Sequence, residues 1–226
     1  MTRTTNARIA GFTFLFYIAV AFPAVVLLNR AAGGAGTAAQ LASVAQHATD
    51  VRVAILLSLL GTFSALVLAV TLYAITRDQD PDLAILGLTF RVAEGVTGAV
   101  SITSTLGLLW LATATGADAP DSAGAQALGA FLLAPSPPHG AAFFAVGSTF
   151  FSYLLLRGRM IPVALAWLGV VASLLLVVVL PLSFAGILRG PITQLVWLPM
   201  LAFEVPLGLW LMIKGVTAPK PRLGMV

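Results

Sequence analysis

Six runs of predominantly apolar residues, at positions 9–29, 51–76, 83–113, 140–156, 161–185 and 191–214, decide what this chain can become. A helix needs about 20 apolar residues to cross the hydrocarbon core of a bilayer. Each run is of that order, and between the runs the chain turns polar or breaks at proline. Only 9% of the residues are charged and the mean hydropathy is +1.02, whereas a soluble domain carries about 25% charged residues. Charges this sparse cannot keep a surface wet, so lipid is the expected solvent. The expected fold class is all-α: a polytopic membrane protein in which one domain, 1–226, carries six transmembrane helices.

The segments between the runs add detail. The first run follows Arg3 and Arg8. Its length exceeds the about 7–15 apolar residues of a cleaved signal, so a retained helix is expected. Ala31–Gly36 reads as a loop and Thr37–His47 as a short helix on the membrane surface. The run Arg77-Asp-Gln-Asp-Pro-Asp82 is a clear break. In the connection from Thr113 to His139, Ala125–Ala134 is apolar but too short to cross, and is expected to lie at the interface or re-enter. Arg157-Gly-Arg159 reads as a tight turn.

Six spans put both termini on one side. That side gathers eight basic residues (Arg3, Arg8, Arg77, Arg157, Arg159, Lys214, Lys220 and Arg222) against three on the other, Arg30, Arg52 and Arg189. Short loops rich in Lys and Arg stay in the cytoplasm, so both termini are expected to be cytoplasmic. The net charge of +4 is made of single or paired residues at the ends of apolar runs. That distribution suits helix anchoring and not nucleic acid. The absence of cysteine removes disulfides, thiolate metal sites, iron–sulfur clusters and cysteine nucleophiles together.

One basic residue is left inside the membrane. Arg91-Val-Ala-Glu94 interrupts the third run, and Glu204 interrupts the sixth. A charge at the centre of a spanning helix costs about 2.5–3.5 kcal/mol on insertion scales. Counted from the cytoplasmic helix ends, Arg91 lies roughly 13 Å deep, Glu94 roughly 18 Å and Glu204 roughly 15 Å. Helical spacing puts Arg91, Glu94, Gly98, Ser101 and Thr105 on one face of the third span. The same arithmetic puts Gln194, Trp197, Leu201 and Glu204 on one face of the sixth. Pro199 and Pro206 leave carbonyls near Glu204 without a helical donor.

Two readings of this centre stand side by side. In one, it is an internal ion pair that fixes helix register, and the chain is an accessory or scaffold subunit with a membrane-protein partner. In the other, two carboxylates against one guanidinium leave an excess, so the cluster is net negative or holds a proton. Such a site suits binding or transport of a small solute, a lipid or a proton. Its ligand- or proton-binding candidates are Arg91, Glu94, Glu204, Gln194, Ser101 and His139. His139, at the outer start of the fourth span, is a candidate proton gate. With His47 in a loop it finds no second ligand, so no metal is expected, and nothing points to a cofactor. Ser148 with Ser152, and Gly169 with Ser173, read as small-residue helix packing. No nucleophile elbow, phosphate loop, zinc-protease helix or haem-ligand pair is present. A non-enzymatic role is therefore expected. The alternative is an intramembrane lipid-modifying enzyme with Glu94 or Glu204 as general base.

Four segments in order carry a resemblance: Ala7-Arg-Ile-Ala-Gly11, Arg91-Val-Ala-Glu-Gly95, Tyr153-Leu-Leu-Leu-Arg157 with Met160-Ile-Pro162, and Glu204 leading to Leu209-Trp-Leu-Met-Ile-Lys-Gly215. Together they resemble the bacterial membrane-protein family known as domain of unknown function 4386, over nearly the whole chain. The resemblance implies a six-helix protein of the bacterial cytoplasmic membrane, with Arg91, Glu94, Glu204 and Lys214 among its motif positions. It implies no activity, substrate or cofactor. Where family members often continue the proline with Arg-Trp-Leu, this chain has Val163-Ala-Leu165.

Overall fold

In the computed structural model, residues 1–116, 119–134 and 140–217 are described. His139, Lys220 and Arg222 lie outside the described residues. The described chain is all-helical: α1 Arg3–Ala31, α2 Thr37–Gln46, α3 Ala48–Thr76, α4 Pro81–Thr113, α5 Ser122–Leu132, α6 Gly140–Arg157, α7 Val163–Phe184, α8 Ile192–Leu195 and α9 Leu198–Ile213. Six segments are long and apolar enough to cross a membrane: α1, α3, α4, α6, α7 and the stretch Ile192–Ile213. Side chains such as Phe22 and Val178 face outward, 72% and 60% exposed. An apolar exterior of this kind needs lipid around it. The chain is a multi-pass membrane protein.

Caps carry the helices beyond their apolar runs. The Thr2 hydroxyl accepts from the Thr5 N–H, so α1 begins at Arg3, ahead of the apolar run. Asp80 caps α4 by accepting from the Leu83 N–H, and Pro81 sits in the first turn, where a missing N–H costs nothing. Hydroxyls along the spans are satisfied locally: Thr71, Thr76, Thr97 and Ser173 each donate to a carbonyl one turn back. Such bonds let polar side chains enter lipid without an interhelical partner.

The long helices pack as a ring in the order α1, α3, α4, α6, α7, α9, with α9 closing back onto α1. Small residues permit the tightest contacts. A Cβ on Gly11 would collide with the backbone of Gly208 and Met212, so α1 and α9 touch backbone to backbone. Ser152 and Ser173 are buried, and Gly169 of α7 lies against the Ser152 hydroxyl of α6.

One end of the ring holds the start of α1 and the exit of α9. Arg3 pairs with Asp78 at 2.6 Å and Arg157 with Asp80 at 2.9 Å, joining the start of α1 and the end of α6 to the α3–α4 turn. Thr217 donates its N–H to the Met160 carbonyl and its hydroxyl to that of Arg159, which holds the α9 exit to the α6–α7 turn. In that turn Arg159 adopts a left-handed conformation at φ 50°. At the other end α2 and α5 form a cap, with Gly129 of α5 set against Thr37 and Leu41 of α2. Two hydrophobic clusters result. A large one runs through the ring, from Leu72, Leu154 and Leu211 near the start of α1 to Val179, Leu180 and Val196 towards the other end. A smaller one built on Val44, Val51, Leu108 and Leu109 lies beneath the cap. The polar centre borders the large cluster, whose Phe144 lies against Arg91.

The sixth apolar segment departs from the sequence expectation. It is not one helix: the short α8 ends at Leu195, and α9 starts after a turn at Val196 and Trp197. Pro199 is the cause, because it cannot supply the N–H that would continue α8 and instead occupies the first turn of α9.

Candidate functional site

Arg91, ten residues into α4, is the largest fully buried side chain at 1% exposure. Two neighbours make room for it. Gly147 of α6 would place a Cβ 2.8 Å from Arg91 Cγ, so only glycine admits the side chain there. Phe144, one turn earlier on α6, lies under the guanidinium with its ring centroid 4.8 Å from Cζ. A desolvated cation over a ring gains about 2 kcal/mol. Arg91 Nη1 and Glu94 Oε2 are 2.8 Å apart within the same helix. That is an ion pair by distance, but the alignment is too bent for a hydrogen bond. Nε and Nη2 likewise have no hydrogen-bond acceptor among the described residues.

Glu94 is shared between two neighbours. Its Oε2 faces Arg91, while its Oε1 accepts a hydrogen bond of 3.3 Å from the Tyr17 hydroxyl of α1. That bond is the polar contact linking α1 to α4 across the ring. Glu204 of α9 is 7% exposed and lies within coulombic reach of Arg91 and Glu94. Among the described residues it makes no ion pair within 4 Å and no hydrogen bond.

Both carboxylates face a cavity of about 520 Å³ lined by α1, α3, α4, α6 and α9 and open at its side near Val25 and Ser101, both exposed. Tyr17, Glu94 and Glu204 form its polar end, and Trp197 belongs to its wall. From there it runs along α1 to Leu28, along α3 to Ile55 and along α4 to Thr105, towards the α2–α5 cap. Arg91 is not part of the wall: it stands behind Glu94.

The sequence-based site residues therefore separate. Glu94, Gly98, Ser101 and Thr105 line one wall, as their spacing on α4 implies, and Arg91 backs them. Glu204 joins from α9. Gln194 does not: it is exposed on α8 and absent from the cavity wall, because the turn at 196–197 shifts the phase between it and Glu204. Leu201 is also exposed, at 45%. His139 lies outside the described residues. Lys214 is exposed at the end of α9, on the termini side and away from the cavity. Sequence reasoning missed Tyr17, Phe144 and Gly147. A phenol in the middle of the first span was the available signal for Tyr17.

The arrangement is a largely apolar chamber with an acidic end and a guanidinium neutralising half of it. No curated protein and no solved structure matches the chain. A family model described as a domain of unknown function matches residues 9–215, which include every residue of this site. The chain belongs to the DUF4386 family.

Proposed function

We propose that the chain resides in the bacterial cytoplasmic membrane with both termini in the cytoplasm, and that its acidic cavity binds a small solute, lipid or proton in a transport-like role. Glu204 is the observation that carries this reading. A carboxylate out of water and without a partner costs several kcal/mol unless something compensates it. At Glu204 no ion pair or hydrogen bond within the described residues supplies that compensation, and the side chain faces a chamber large enough for a ligand. The Arg91–Glu94 pair supports the same view: it lies within one helix, so it does not by itself fix one helix against another. A register device would be expected to join two.

The orientation rests on the excess of Lys and Arg at the termini end. The test of function is release of bound material. Protein purified in mild detergent is extracted with organic solvent, and the extract of wild type is compared by mass spectrometry with that of Glu204→Gln. The expected result is a compound released near stoichiometrically from wild type and depleted from the variant. Identical extracts containing only bulk phospholipid would contradict binding of a solute or lipid. A modified lipid accumulating only with wild type would turn the reading towards catalysis.

A further inference from the structure

We infer that the cavity accepts a monocationic amphiphile: an ammonium group held between Glu94 and Glu204, with an apolar tail running towards the α2–α5 cap. This deepens the binding reading above and rests on it. Three independent observations converge. The first is charge. Two carboxylates and one guanidinium meet at the acidic end, so one carboxylate is in excess and carries an uncompensated charge whenever both are ionised, and Glu204 is the unpartnered, more than nine-tenths buried member aimed into the chamber. A single positive charge supplies the missing partner, whereas a dication would leave an excess of the opposite sign.

Shape is the second. From Glu94 to Thr105 the wall on α4 is roughly 16 Å long at a rise of about 1.5 Å per residue. The chamber is therefore elongated, and charge is concentrated at one end. The third is the chemistry of the long walls. Val25, Leu28, Ile55 and Ile102 are apolar, the hydroxyls of Ser101 and Thr105 are already donated to carbonyls of their own helix, and Ser58 and Thr62 of α3 are the other two hydroxyls of the wall. A tail meets few polar groups seeking a partner. The wall contains no Lys or Arg, and Arg91 is screened behind Glu94. A phosphate or carboxylate head would therefore stand against two carboxylates with no cation to hold it.

The test uses the full chain in phosphatidylcholine nanodiscs and three labelled probes of one tail length: octylammonium, octanol and octanoate. Octylammonium is expected to bind saturably, one per chain, and roughly tenfold or more tighter than either analogue. Glu204→Gln should weaken it by about tenfold or more while leaving the melting temperature near that of wild type. Glu204→Asp should restore part of the affinity, and Asp78→Asn, a surface change, none of the loss. Should the Gln variant fail to fold, the three-probe ranking on wild type still decides the matter.

Octanol or octanoate binding as tightly as octylammonium would overturn the cation assignment but keep the cavity as a binding site. Saturable octylammonium binding indifferent to Glu204 would overturn it too. If no probe binds but organic extracts still release a Glu204-dependent compound, the ligand class falls and the binding reading stands. The source is separated in the same experiment: a co-purified amine lipid displaced by octylammonium marks the bilayer as the supply. Protein that arrives without amine and fills from solution marks a soluble amphiphile. Either result supports the class.

Discussion

At the scale of single residues, Arg91 is the costliest side chain in the protein, and its surroundings are built to hold it. Glu94 offsets its charge at 2.8 Å, Phe144 offers a ring face and Gly147 yields the space for its stem. Removing only the cation leaves Glu94 buried near a second carboxylate, with the Tyr17 hydroxyl as its side-chain hydrogen-bond donor among the described residues. Arg91→Met should therefore lower stability by about 3–5 kcal/mol, and the double variant Arg91→Met/Glu94→Gln should recover much of that. Reversible denaturation in mild detergent reads the difference; a double variant less stable than the single one would contradict it. Tyr17→Phe removes one hydrogen bond to Glu94 and should cost about 1 kcal/mol. The three charges were legible in the sequence because charge in lipid is expensive wherever it occurs. Tyr17 and Gly147 were not, since a phenol and a glycine cost little in a spanning helix. Their roles depend on which helix stands opposite, and apolar runs of nearly uniform composition do not encode that.

Among the elements, helix ends decide more than helix interiors. Asp80 has two tasks: one oxygen caps α4 at Leu83 N and the other pairs with Arg157 at 2.9 Å. The pair is partly exposed, so its contribution is small, about 0–1 kcal/mol. The cap contributes about 1 kcal/mol. Asp80→Asn keeps a capping oxygen and should cost little, whereas Asp80→Ala should cost about 1 kcal/mol more, as melting of the two variants side by side would show. Equal losses would mean the cap is not formed. The spans themselves were readable from hydropathy. Their first residues were not, because caps at Thr2 and Asp80 extend helices into polar sequence. The break at Val196 and Trp197 also escaped detection: both residues are apolar, and the proline responsible comes after them. That break removes Gln194 from the face that Glu204 presents.

As a whole, the molecule is a six-helix ring with a hydrophobic core running through it, α2 and α5 over one end, and a largely apolar chamber whose polar groups gather at Glu94 and Glu204. Six spans and a charge bias were evident from sequence; the chamber was not, because it arises from small residues on α1, α3, α4 and α6 meeting in space. Since the chain has no cysteine, single cysteines report cleanly on topology. Ala35→Cys, near the cap, should react with an impermeant maleimide in intact cells, and Asp82→Cys, beside the termini, only after permeabilisation. The reverse pattern would invert the orientation. The same background permits the most direct test of an accessible chamber with an acidic end. Thr62→Cys places a thiol in its wall beside Gly98. Its modification rate is measured with cationic ethylammonium and anionic ethylsulfonate methanethiosulfonates, each normalised to free thiol. The expected result is a cation preference of about tenfold that collapses when Glu204→Gln is added. No reaction at position 62 with either reagent, or equal normalised rates in wild-type and Gln backgrounds, would contradict the account.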